Sequence, residues 1–450
     1  MKIKNLTVDK LYGHINKNID FNSDLTILVG INGAGKTSIL NLINWLISPS
    51  LPHLCVTEFK SISLTFDYND ENYEIMCRHT KSFLKYSIKS STKTYNPLIV
   101  RIHSHPKDIK NDEYLRTKYL DRYSSLTPDE KEKETWEIIS NFPTPTVIGL
   151  DRNLYTKESS IKIYYEESNK IRNTKKTTSP LNRVKDLINI EYRKKKNEVS
   201  KLTNALKNHL MLSSFDGSIT IDSLTSGIKY KLTLNQIEKA ESRVNDYFKN
   251  FEKDSLSAKN QEILNSYFYE LKSIMKKYQE TPEEENVSIL YALNANQFVK
   301  IKKLLKEFEK FESKSLKAME LIESYLNTLN YFLKDSAKQV LFREDTLELI
   351  FNNLDKDGNV IKEHSDINFL SSGEQQLLIL FSYIAFNSGD GRIFIIDEPE
   401  LSLHIKWQED FLEKLELITP KQTQLILATH SPILANKKRK KTSILLPYNV

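Results

Sequence analysis

The chain has 450 residues, 39% hydrophobic and 28% charged, with a formal net charge of +6. That length supports two or three cores, and 11 Gly with 13 Pro exclude a collagen-like or Pro/Gly-rich disordered chain. The charge is mild and does not by itself imply nucleic acid. Two cysteines, Cys55 and Cys77, exclude a disulfide framework and fit a reducing cytosol.

The Met1–Leu6 start lacks the apolar stretch of a signal peptide, and no run of 18 apolar residues occurs, so a cytoplasmic chain without a membrane span is expected. Residues 2–8 and 25–29 read as short buried strands. The second runs into a Gly-rich turn, and 36–47 then shows helical periodicity. Residues 60–67 and 71–76 alternate apolar and polar, which predicts an antiparallel pair. Residues 106–141 are polar and helical in character, and 145–150 return to a strand. From about 155 the character shifts to apolar residues at helical spacing, over 180–212 and 233–336. Phe298, Ile301, Leu304, Leu305 and Phe308 are one such stripe. Strict heptads do not persist, so packed helices or a short antiparallel hairpin are expected, not a long coiled coil. Residues 338–351 predict a strand pair interrupted by Arg343-Glu344-Asp345, with a turn at Asp355–Asn359. A helix over 373–385, a strand over 393–396, a helix over 405–417 and a strand over 424–428 follow. That alternation predicts a parallel sheet.

Gly30-Ile31-Asn32-Gly33-Ala34-Gly35-Lys36-Thr37 matches G-x-x-x-x-G-K-[ST] in full, after a strand and before a helix. Glycines let the backbone wrap a phosphate, and the helix N-terminus favours an anion. The expected ATP site is therefore Asn32, Gly33, Ala34, Gly35, Lys36, Thr37 and Ser38. Lys36 is expected at the β- and γ-phosphates and Thr37 on Mg²⁺. Arg392-Ile393-Phe394-Ile395-Ile396-Asp397-Glu398-Pro399 supplies a buried strand with two carboxylates at its carboxyl end, where ligands bind in open α/β sheets. Asp397 is the second expected Mg²⁺ ligand. Glu398 is placed to orient or deprotonate an attacking water.

Leu370-Ser371-Ser372-Gly373-Glu374-Gln375-Gln376 ends 21 residues before Asp397. Glu400-Leu401-Ser402-Leu403-His404 follows the strand, and Thr429-His430-Ser431-Pro432 follows the next one. These motifs, in this order, resemble the ABC ATPase superfamily over residues 1–150 and 338–450. The resemblance implies an α/β fold: an ABC-type ATPase head, a P-loop NTPase with a mixed sheet and helices, split by a helical insertion. Its parts would be an N-terminal lobe at 1–154, the insertion at 155–337 and a C-terminal lobe at 338–450. It implies a head-to-tail dimer in which Ser371, Ser372 and Gly373 of one copy face the γ-phosphate held by Lys36 of another. It also implies that His430 contacts that phosphate and, with Glu398, forms the catalytic pair.

Lys36 and Ser371 are 335 residues apart, against about one hundred in a transporter subunit, as the resemblance implies. The motif wording is similar to OLD-type and RecF-type ATPases, and most to stand-alone ATPases of bacterial anti-phage systems such as PARIS, Septu and some retrons. Only 20 residues follow His430, so the Toprim nuclease of OLD proteins is not expected. The implied partners are other copies of the head, as a dimer or a hexamer, a nuclease or other effector encoded nearby, and a phage protein as trigger. A RecF-like DNA-repair ATPase and a nucleotide-gated scaffold are the alternatives. No Gln marks a Q-loop after the 145–150 strand, where Asp151 and Arg152 stand. Tyr12 and His14 are the candidates for the adenine. Residues 151–210 carry 15 Lys/Arg against seven Asp/Glu, including Arg193–Lys196, and Lys437–Lys441 is a second basic run. Contact with DNA, RNA or a nucleic-acid-mimicking phage protein is one reading of both runs; a solvated face is the ordinary one.

Overall fold

The computed structural model describes residues 1–48, 50–109, 112–149, 154–155, 179–214, 233–251, 258–387, 392–401 and 403–446. Two compact units emerge, one from Met1–Glu191 with Glu323–Val450 and one from Tyr192–Ile322. Among the described residues no helix is long and apolar enough to cross a membrane.

Among the described residues the first unit carries three sheets. Its strands are β1 (Lys2–Leu11), β2 (Ile15–Asp20), β3 (Leu25–Val29), β4 (Ser61–Tyr68) and β5 (Glu71–His79). Then come β6 (Phe83–Ser90), β7 (Leu98–Arg101), β8 (Thr146–Ile148), β9 (Leu154–Tyr155) and β10 (Lys338–Phe342). The last are β11 (Leu349–Leu354), β12 (Val360–Asp366), β13 (Ile393–Asp397), β14 (Gln424–Thr429) and β15 (Thr442–Ile444).

One sheet has the order β2-β1-β4-β5-β6-β7 and is antiparallel throughout. The expected pair β4–β5 is there, running from Ser61↔Arg78 to Tyr68↔Glu71. Strand β1 is longer than the expected 2–8 and half-buried, because its polar residues face away from the core. Strands β2, β6 and β7 carry little strand signal of their own; short polar-rich segments gain strand character from their neighbours more than from their own pattern.

The second sheet has the order β15-β3-β14-β13-β8-β9. Strands β13, β14 and β3 pair in parallel, as the strand–helix alternation predicts. Both β13 and β14 are buried at every position, which explains their near-continuous apolar runs. Helix Lys36–Ile47 buries Ile39, Leu40, Leu42, Ile43, Leu46 and Ile47. It shares one core with Leu6 and Val8 of the first sheet and Ile395 and Ile426 of the second. Helix Ser372–Phe386 is buried from Leu377 to Ala385, which its apolar content on all sides requires.

The third sheet, β10-β11-β12, is antiparallel. Arg343 and Asp345 form a two-pronged ion pair in the β10–β11 turn, with both bonds at 2.6 Å. The expected turn at 355–359 is closed by the Asp355 carboxylate, which accepts from Asp357 N at 2.9 Å and Asn359 N at 2.8 Å.

The second unit is helical. Helices Leu234–Phe251, Ala258–Glu280 and Glu285–Leu293 lie in it, with parts of Pro180–Ser214 and Ala295–Leu333. The expected stripe Phe298, Ile301, Leu305 and Phe308 is buried in its core beside Ile237, Phe268 and Leu271. Tyr278 stacks on Tyr291 at 3.9 Å, and Arg243 pairs with Glu312 at 2.9 Å.

One histidine ties the first unit to pH. His53 stacks on Trp45 at 4.9 Å, and its Nδ1 lies 2.7 Å from Ser50 Oγ. Burial, helped by Arg116, pushes its pKa down from 6.5 to about 4. The unfolded chain therefore takes up this proton first as pH falls. Stability that is present above pH 6.5 is lost as pH drops towards 4, by up to about 3 kcal/mol for this group. Urea midpoints measured between pH 7 and 4.5 are expected to fall less steeply for His53→Phe than for the wild type.

Candidate nucleotide site

Register alone brings three loops to one place. Asp397 pairs with Ala428, and Val29 pairs with Thr429. The next residues of each strand are Glu398, His430 and Gly30, so all three emerge side by side at the carboxyl edge of the parallel sheet. Ligands bind at that edge in open α/β sheets.

The loop 30–35 turns tightly into helix Lys36–Ile47. Gly33 and Gly35 have φ of +83° and +86°, in the left-handed region that favours glycine. A Cβ at Gly33 would meet nothing within 4 Å, so the loop is open in front of it; one at Gly30 would lie 2.5 Å from Leu445 O. No side chain caps the helix start, and its first turn holds no acid. The backbone N–H groups there suit an anion. Asn32 and Gly33 are exposed, Ala34 is buried and Ser38 is half-buried.

Lys36 is 5% exposed. Its Nζ donates to Gly30 O at 2.8 Å and lies 2.7 Å from His430 Nε2. That same Nε2 lies 3.2 Å from Glu398 Oε1. One ring nitrogen can accept from Lys36 or donate to Glu398, but not both at once. Burial pushes the Lys36 pKa down, against Glu398, Asp397 and Glu400, which favour its charged form. Thr37 Oγ1 donates to Asp397 Oδ2 at 2.7 Å. Burial pushes the Asp397 carboxyl above its ordinary range, with Glu398 and Glu400 adding to the effect and Thr37 and Lys36 opposing it. Lys36, Thr37, Asp397, Glu398 and His430 thus form one cluster, although 360 positions separate Thr37 from Asp397.

Two details were invisible in the sequence. Glu398 has φ +47°, an unfavourable conformation for a side chain of its kind, costing about 1–3 kcal/mol. Its N–H donates to Ala428 O at 2.8 Å, which holds the bend. Glu400 Oε1 accepts from His430 N at 2.6 Å and Ser431 N at 3.1 Å, so it sets the loop that carries the histidine.

Ser371, Ser372 and Gly373 sit at the start of helix Ser372–Phe386. Ser371 caps helix Ser372–Phe386 in a capping box with Glu374, and both serines are exposed. The hydrogen bonds of Ser371 stay within its own loop and helix, not with the Lys36 cluster. Glu374 is the organiser the sequence did not reveal. At 2% exposure it accepts from Ser336 Oγ at 2.6 Å, Lys338 Nζ at 2.8 Å and Ser371 N at 2.7 Å. Burial pushes its carboxyl up, but the bonds from Lys338, Ser336 and Ser371 outweigh it and hold the pKa below the usual value. Glu374→Ala leaves Lys338 without its buried partner and is expected to cost about 3 kcal/mol. A double-mutant cycle with Lys338→Met checks this; additive single effects would contradict the coupling.

Asp151 and Arg152 lie outside the described residues, as does Ser402. Tyr12 adopts φ +51° and donates its N–H to Glu58 O at 2.8 Å; His14 Nδ1 lies 3.1 Å from Tyr12 O. The 437–441 run is largely answered by acids. Lys438 pairs with Glu416 at 2.8 Å, Lys441 with Asp24 at 2.5 Å, and Lys437 lies 3.8 Å from Asp410. Arg193, Lys194 and Lys196 are exposed on their helix.

Among known proteins, the chain is 32% identical over 142 residues to "Retron Vc95 probable ATPase" of Vibrio cholerae serotype O1 biovar El Tor. That match covers 25% of this chain and 27% of the relative. Among solved structures it is similar to the Smc head domain of Pyrococcus furiosus with an extended coiled coil, bound to the C-terminal domain of ScpA. That similarity has 14% identity, TM-score 0.33 and coverage of 97% of this chain and 91% of that one. The SMC head domain from Thermotoga maritima gives 12% identity, TM-score 0.35 and coverage of 97% and 92%. The family model described as "AAA ATPase domain" matches residues 1–435, nearly the whole chain. With a complete phosphate-binding loop facing the Asp397–Glu398 pair across a parallel sheet, the chain belongs to the AAA ATPase domain family.

Proposed function

We propose that this chain is an ABC-type ATPase of the OLD/RecF-like branch that hydrolyses ATP with Mg²⁺ in the cytoplasm and works in a bacterial anti-phage defence system. The observation that carries the ATPase reading is the cluster of Lys36, Thr37, Asp397, Glu398 and His430 at one sheet edge. The residues fit both groups. Thr37 and Asp397 are hard oxygen donors of the kind Mg²⁺ takes, and the open, uncapped loop suits a phosphate chain. When bound, ATP with Mg²⁺ supplies the phosphoryl group and offsets its charge. Lys36 and the N–H groups of residues 33–38 bind and orient the phosphates. Thr37 and Asp397 are the residues that would hold the metal. Glu398 Oε1 accepts a proton from water, and His430 Nε2, 3.2 Å away, fixes that carboxylate and senses the terminal phosphate.

The exposed Ser371 and Ser372 at the start of a helix, with the Ser371 bonds kept within its own loop and helix, support a role towards another copy's nucleotide. ATP would then join two heads, and such dimers could build a hexamer. The defence reading draws on the similarity to the retron relative, over about a quarter of each protein. In this reading the segment 155–337 holds a nuclease effector encoded nearby and releases it when a phage protein is sensed. Co-expression with the adjacent gene products, followed by light scattering with and without ATP, tests it. A head that stays monomeric and without a partner in ATP would sink the assembly and effector parts; ATP turnover is measured separately.

A further inference from the structure

A second cluster of charge lies at the end of the antiparallel sheet. A cavity of about 330 Å³ opens there, lined by Lys10, Lys60, Lys81, Lys107, His105 and Glu58 among others. It shares no lining residue with the Lys36 cluster. Lys10 stands at the end of β1, Lys60 just before β4 and Lys81 just after β5, so antiparallel pairing of the three strands gathers them. Lys10 has φ +53°, an uncommon conformation that turns the chain at this edge.

The lining is mostly donors. Lys60 meets Asp9 at 2.9 Å, and Lys107 lies 3.6 Å from the half-buried Glu58 carboxylate. Lys107 N donates to His105 Nδ1 at 3.3 Å, so the ring is tied to this edge of the cavity. His79, also in the lining, is kept neutral by burial, so the charge comes from the lysines. Four ammonium groups against Glu58 and Asp9 leave a charge of about +2 around a small cavity. A phosphomonoester carries about −1.5 to −2 at neutral pH and balances it, whereas a phosphodiester carries about −1 and does not. The volume is that of a small-molecule site at the lower end of the usual range.

We infer that this cavity binds a phosphomonoester of mononucleotide size, separately from the Lys36 site. Two sources share that chemistry: a free mononucleotide and the phosphorylated end of a polynucleotide. The test uses the full chain carrying Lys36→Ala, so that the other loop contributes little, and isothermal titration with four probes. These are thymidine 5′-monophosphate, thymidine, and a short oligothymidylate with either a 5′-phosphate or a 5′-hydroxyl. The monophosphate is expected to bind and thymidine not to. Lys10→Ala and Lys81→Ala, both at exposed positions, are each expected to weaken binding about tenfold, the worth of one charge-assisted bond. Tighter binding of the 5′-phosphorylated oligomer than of the monophosphate identifies a polynucleotide end, and the reverse a free ligand; either supports the site. Equal binding of the two oligomers marks a surface that follows backbone phosphates and overturns the inference. Equal binding of thymidine and its monophosphate, or no loss in the lysine variants, overturns it as well.

Discussion

Glu398→Gln is expected to lower steady-state ATP turnover by at least about a hundredfold while leaving ATP binding intact. The carboxylate sits at the carboxyl end of β13, held in a left-handed bend by its own N–H bond to Ala428 O. Its Oε1 lies 3.2 Å from His430 Nε2. Glutamine keeps the shape and the bend but accepts a proton far less readily. Because Lys36, Thr37 and Asp397 are untouched, the loss falls on kcat and not on the affinity for ATP. Under the dimer reading the variant also accumulates ATP-bound dimers, which light scattering detects. A variant that turns over ATP at the wild-type rate would rule out Glu398 as the base. One that is inactive but stays monomeric in ATP would instead refute the dimer.

The second large effect is expected from Lys36→Ala, which should weaken ATP binding by roughly a hundredfold, the worth of one or two charge-assisted hydrogen bonds to phosphate. Lys36 is also the buried cation between Gly30 O and His430 and faces Asp397, Glu398 and Glu400. Its removal leaves three carboxylates with less opposing charge, so Asp397 is expected to titrate at still higher pH. Fluorescent-nucleotide titration measures the affinity, and far-ultraviolet circular dichroism separates a binding defect from unfolding. Lys36→Arg keeps the charge, but its larger planar head does not fit the bond to Gly30 O, so it is expected to recover only part of the affinity. Full recovery with Arg would show that charge alone matters and that the short contacts do not.

The residues that meet around Lys36 are largely legible in the sequence. The loop 30–37 reads directly because a phosphate cradle needs glycines at fixed spacing, followed at once by a helix. Asp397 and Glu398 read because a buried parallel strand is apolar along its whole length and ends in polar residues at the ligand edge. The helical stripe of Phe298, Ile301, Leu305 and Phe308 read because side chains three and four apart share one face. In each case the signal lies within about ten consecutive residues.

Other features depend on partners far away in the chain, and no local pattern encodes them. Strands β2, β6, β7 and β12 owe their pairing to neighbours, and β15 to the parallel edge of β3. The burial of Glu374 becomes tolerable only once Ser336, from the turn before β10, and Lys338, at the start of β10, arrive beside it. Glu400 needs the β14 loop to become the support of His430. The basic run at 437–441 looks like an interaction patch as a string of letters, but folding brings Asp24, Asp410 and Glu416 to it. The lysines of the second cavity, from Lys10 to Lys107, look like ordinary surface charges until three strand ends and the short helix Pro106–Ile109 meet. Sequence alone therefore determined the chemistry of the phosphate loop, the acid pair and the helical periodicities, since backbone geometry and burial impose those patterns locally. Tertiary structure decided which charges are neutralised, which loop residues are held in strained conformations and which distant cations converge, because those depend on distances that only strand register and packing set.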